Sequence, residues 1–122
     1  MPVNIVNVTT INGVTATANL TSTSATSVVS NANASGKVYK IESLVVANTT
    51  GTAATITINY YDAAALGGNA RAICSGTSVP ANASLVVIEK SNGIYLEANS
   101  SIGATAGTAN ALQVVCSYED IS

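Results

Sequence analysis

Few side chains in this sequence can do chemistry. Its 122 residues hold no histidine, four Lys or Arg, six Asp or Glu and two cysteines. A Ser or Cys nucleophile needs a base within hydrogen-bond reach, most often histidine, so a His-dependent triad is excluded. A Ser-Lys arrangement has no support either. None of Lys37, Lys40 and Lys90 has a serine three residues before it, and no Gly-x-Ser-x-Gly turn occurs.

Metal and phosphate chemistry fare no better. Cys74 and Cys116 stand 42 residues apart with no histidine to join them, which is no zinc spacing. Glu119 and Asp120 are adjacent, and neighbouring side chains on a strand point to opposite faces, so they make a poor chelate. Gly36-Lys37 has Asn31 where a phosphate loop needs its first glycine, and Val38 where it needs Ser or Thr. The expectation is a protein that is not an enzyme and takes no metal or cofactor. The remaining candidate is Tyr60-Tyr61, one ring on each face of a strand. An outward tyrosine there serves a subunit interface, plain surface or a sugar platform, and the interface has the first claim.

Composition narrows the classes further. Charged residues make up 8% of the chain against about 25% in an ordinary soluble domain, and the net charge is −2. An electrostatic partner such as nucleic acid or an anionic membrane is not expected. Apolar residues reach 48%, which argues against disorder. Phe and Trp are absent, so Val, Ile, Leu and Ala must build the core. The length suits one domain, and a core without large aromatics favours assembly into a homo-oligomer. The longest apolar runs, such as Leu85-Val86-Val87-Ile88, are far short of a membrane-spanning helix. Met1 reads as a true start without a secretory signal, so synthesis in a cytoplasm and two reduced, buried thiols are expected. Six Asn-x-Ser/Thr triplets follow from 13 Asn among 29 Ser and Thr rather than from glycosylation.

The elements that position these residues are strands. Residues 1–26 read as an extended N-terminal arm or edge strand whose apolar Val3, Ile5, Val6 and Val8 are candidate contacts for a neighbour. Residues 27–122 form the β-sandwich domain, with β-rich runs at 8–12-residue spacing. The longest run, 37–47, is expected to set Tyr39, Ile41, Val45 and Ala47 on one face. Asn48 to Thr52 reads as a hairpin turn. Then Ala54, Ile56, Ile58 and Tyr60 alternate with Thr55, Thr57, Asn59 and Tyr61. Asp62 to Asn69 reads as a loop, and Pro80 marks a corner. The fold class expected is all-β: an antiparallel two-sheet sandwich, jelly-roll or Greek-key, of about eight strands after the arm. An immunoglobulin-like sandwich is the close rival.

The run Lys37-Val38-Tyr39-Lys40-Ile41-Glu42-Ser43-Leu44-Val45-Val46-Ala47-Asn48, the strand Thr55-Ile56-Thr57-Ile58, the corner Val79-Pro80-Ala81 and the closing Val114-Val115-Cys116-Ser117-Tyr118-Glu119-Asp120-Ile121 together resemble small virion proteins of tailed bacteriophages. The resemblance implies a structural role without catalytic residues. It points to a head decoration (cement) protein bound to the major capsid protein or another virion protein, often as a homotrimer. A tail or head-fibre component, or another glycan- or receptor-binding module, is the alternative. It also implies a place on the virion after synthesis in the host cytoplasm.

Overall fold

The computed structural model describes residues 9–122. Nine strands make two antiparallel sheets: β1 (Ile11–Leu20), β2 (Thr26–Asn31), β3 (Val38–Asn48), β4 (Ala54–Ala63), β5 (Gly67–Val79), β6 (Ser84–Ile88), β7 (Ile94–Leu96), β8 (Ser100–Ala106) and β9 (Leu112–Ile121). The five-stranded sheet runs β1-β9-β3-β6, with β7 beside β3. The four-stranded sheet runs β2-β8-β4-β5. The chain crosses between sheets at most of its connections, and strands distant in sequence become neighbours. That is the two-Greek-key winding of a jelly roll.

The core between the sheets is aliphatic. Ile41, Leu44, Val46, Ile56, Ile58, Leu96, Ile102 and Val114 are sealed from solvent. Each branched aliphatic side chain of this kind contributes about 1.5–3 kcal/mol by leaving water. The alternation expected over 54–60 is seen directly, with Ala54, Ile56 and Ile58 buried between more open neighbours. Tyr39 and Tyr118 supply the aromatic contact at one end, with centroids 4.8 Å apart.

Three expectations need correction. In β3 the inward residues are Ile41, Leu44 and Val46, while Val45 and Ala47 face out. The register against β9 steps from Ile41↔Tyr118 to Ser43↔Ser117, so Glu42 is an extra residue. A bulge there reverses the alternation beyond it. Asn48 to Thr52 is no hairpin turn, because β3 and β4 lie in different sheets. It is a corner that carries the chain across the sandwich. The loop expected over Asp62–Asn69 is shorter: β4 runs to Ala63 and β5 starts at Gly67, making these two strands the long hairpin of the fold.

Two buried asparagines hold the corners. Asn48 is 3% exposed; its Nδ2 donates to the carbonyls of Thr52 (2.8 Å) and Val79 (3.0 Å). Its Oδ1 accepts from the Thr50 amide (2.9 Å) and hydroxyl (2.8 Å). Asn31, fully buried, repeats the device with Nδ2 donating to Lys37 and Leu96 carbonyls, both at 2.9 Å. Each amide joins its own corner to a distant strand, and each satisfies backbone groups that would otherwise be buried without partners.

Candidate assembly surface

The arm residues Val3, Ile5, Val6 and Val8 lie outside the described residues. Downstream of them, Ile11–Leu20 runs as β1 antiparallel to β9 through ten consecutive pairs. Tyr60 and Tyr61 fall on opposite faces of β4 as their adjacency requires. Tyr60 lies opposite the buried Ile102 and packs against the core. Tyr61 lies on the outer face of the four-stranded sheet, over Gly103 of β8. A Cβ at that glycine would stand 3.1 Å from the Tyr61 ring and 2.7 Å from Leu66 Cδ2. Both rings are half-buried, so the pair presents no open aromatic platform. The aromatic that does face solvent is Tyr95, 52% exposed, on the three-residue strand β7. Its one signal in sequence is its place between the apolar Ile94 and Leu96.

Part of the outer face of the four-stranded sheet, around Ser101 and Gly103 of β8, is covered by the chain itself. The tip of the β4–β5 hairpin curls back over β8 and β2, held by three of its amides. Ala64 donates to Asn99 Oδ1 (3.0 Å), Ala65 to Ser30 Oγ (2.9 Å) and Leu66 to Ser101 Oγ (2.9 Å). Ser101 in turn donates to the Ala63 carbonyl at 2.8 Å. Ala65 and Leu66 take left-handed backbone angles, φ 56° and 61°, which side-chain-bearing residues rarely adopt without such anchoring.

Among the described residues nothing covers the outer face of the five-stranded sheet in this way. Register aligns Thr17 of β1, Val115 of β9, Val45 of β3 and Val86 of β6 in one row across four strands. Val86 is 55% and Val115 44% exposed. The flanking rows are Asn19, Gln113, Ala47 and Ser84 on one side, and Thr15, Ser117 and Ser43 on the other. Thr15 and Ser117 share a hydroxyl contact at 3.3 Å. These rows hold no charge and span about 15 Å at ordinary strand spacing. The sheet's charges gather toward one end, where Lys37 pairs with Asp120 and Lys40 with Glu42, each at 3.5 Å.

Reactive groups are sparse. Cys74 and Cys116 are both free thiols, one half-buried and one buried. Burial pushes the Cys116 thiol up from 9.0 to about 12, so it stays protonated and inert at neutral pH. Among the described residues no three His, Cys, Asp or Glu side chains gather to hold a metal. A cleft of about 180 Å³ between Asn19, Thr21, Thr49, Asn110 and Gln113 is lined by neutral groups alone.

No protein-family model and no curated protein matches the chain. Among solved structures it is similar to a chain of the disulfide-linked pili that form Bacillus endospore appendages. The TM-score is 0.55 at 16% identity, over 93% of this chain and 87% of that one. This likeness is one of fold: an all-β sandwich of the kind used in an appendage protein. A chain from infectious bursal disease virus, Gx strain, aligns at TM-score 0.28 and 12% identity, over 90% of this chain and 40% of that one. The protein is an all-β jelly-roll domain.

Proposed function

We propose that this chain is a non-enzymatic structural protein of a phage virion. In this reading it is a head decoration protein that lays the outer face of its five-stranded sheet on the capsid and stabilises the shell. The observation that carries the reading is the asymmetry of the two sheets. One outer face is partly covered by the tip of the chain's own hairpin, while among the described residues the other exposes an uncharged, four-strand surface with an apolar row through Val45, Val86 and Val115. Neutral sheet surface is suited to shape-matched packing against protein, where charge is depleted at the centre of an interface. In this role the chain is made in the host cytoplasm and joins the head during assembly.

A second reading has an observation of its own. The similarity to an appendage subunit supports a tail or head-fibre component, in which copies of the chain pack on one another. The glycan-binding alternative has less support, because Tyr60 and Tyr61 are half-buried on opposite faces.

The test is a heat challenge of capsids from a virus encoding this chain, with and without the purified protein. Decoration predicts that shells carrying it survive several degrees beyond bare shells. Equal survival together with no bound protein refutes decoration. Filaments of the purified chain under the electron microscope would favour the fibre reading.

A further inference from the structure

Edge strands leave every second N–H and C=O unpaired, and folds that remain single blunt them with shortness, charge, proline or bulges. Three edges here are blunted. β2 has six residues and a register break between Ser27 and Val29. β5 is long, but its register with β4 breaks three times; it carries Arg71 and has Gly68 and Gly76 in the left-handed region. β6 has five residues, and Glu89 and Lys90 follow it directly.

β1 is the exception. Ile11–Leu20 is ten residues without a charge or a proline, and its register against β9 is unbroken. Among the described residues β9 is its one strand partner. Its inward side chains Val14, Ala16 and Ala18 are only half-buried, although Cys116 and Val114 opposite the last two are sealed. The flank of the core is therefore open beside β1, next to an edge with backbone groups to offer.

We propose that the edge of β1 left open among the described residues pairs antiparallel with β1 of a second copy across a two-fold axis, fusing the two five-stranded sheets into one. The strand is complementary to itself. Centred on Ala16, the pairing sets Val14 against Ala18 of the second copy on the inward side, closing both open flanks of core. On the outward side it sets Thr15 against Thr17 of the second copy, a favourable cross-strand pair. No charge meets a like charge. The contact is isologous, so it uses up both of these edges and stops at two copies. The uncharged outer faces become continuous across the pair. This goes beyond the decoration reading and does not depend on which particle the chain joins.

Light scattering and native mass spectrometry on the full chain test it. The wild type should run at twice the chain mass. Thr15 and Thr17 are exposed, so changing them leaves the core intact. Thr15→Lys with Thr17→Lys sets like charges opposite one another twice across the axis and should weaken pairing by about tenfold or more. Thr15→Lys with Thr17→Glu alters the same positions but sets opposite charges across the axis, and should stay paired. A wild-type monomer or trimer, or two variants that behave alike, overturns the proposal.

Discussion

Replacing Asn48 by alanine should lower the free energy of unfolding by about 2.5–6 kcal/mol, because one buried amide serves four backbone and hydroxyl groups at the β3–β4 corner. The Thr50 and Thr52 groups lie near the surface and regain water, so each lost bond there costs about 0.5–1 kcal/mol. Val79 is sealed, and its carbonyl loses this donor with no water to replace it, which adds about 1–3 kcal/mol. In a domain of this size a loss of about 3 kcal/mol, toward the lower end of that range, corresponds to a melting temperature lower by about 12 °C. The assay is thermal and urea unfolding followed by circular dichroism. Asn19→Ala is the control, since that amide is exposed and makes no side-chain hydrogen bond to another described residue. It should stay within about 0.5 kcal/mol of wild type. Asn48→Asp keeps the shape and the acceptor but loses both donations, and should be at least as damaging as alanine. An Asn48→Ala loss below about 1 kcal/mol, or equal to that of Asn19→Ala, would refute the idea that this amide ties the sheets together.

Two further perturbations follow from the packing. Alkaline stability should fall through Cys116: below pH 9 the thiol is protonated in both states, whereas between 9.0 and about 12 only the unfolded chain ionises. Stability then drops by about 1.4 kcal/mol per pH unit. Tyr118, raised by burial first and then by neighbouring Tyr39, Asp120 and Cys116, adds to the loss with the same sign. Urea titrations of wild type and Cys116→Ala at several alkaline pH values should differ in slope, and parallel curves would contradict the assignment. Gly93→Ala should destabilise by about 1–3 kcal/mol, because its Cβ would stand 2.5 Å from the Ile41 carbonyl oxygen, a backbone atom that cannot swing aside. Gly51→Ala, with open space around it, should be near neutral in the same melting experiment.

What was legible in the sequence is what neighbouring residues decide. The period-two pattern over Ala54, Ile56 and Ile58 reports burial on one side of a strand, and it carries straight into the sealed face of β4. The two-sheet sandwich also follows, since short apolar runs broken by turn residues have few other ways to bury one face each. The pattern fails at Glu42, where one extra residue reverses the faces of β3 and turns Val45 outward into the apolar row. It fails again at Asn31 and Asn48, which look like ordinary turn residues because their key acceptors, Leu96 and Val79, lie 65 and 31 positions away. The open surface was hidden for the same reason. Thr17, Val115, Val45 and Val86 are scattered along the chain, and only the strand order of the jelly roll lines them up. Tyr61 takes the face opposite Tyr60, as adjacency on a strand requires, and its half-burial depends on Gly103 admitting Leu66 and the hairpin tip.

Docking of the outer face of the five-stranded sheet on a particle, as proposed above, can be read out by binding to capsids. The most direct measurement is co-sedimentation of undecorated capsids with the full chain, comparing wild type with the double substitution Val86→Lys and Val115→Lys. Both valines are largely exposed, at 55% and 44%, so the variant should melt within a few degrees of wild type. Wild type should pellet with the capsids to a saturating ratio while the folded variant stays in the supernatant. Wild type that fails to pellet, or a variant that binds as well, would contradict docking through this face.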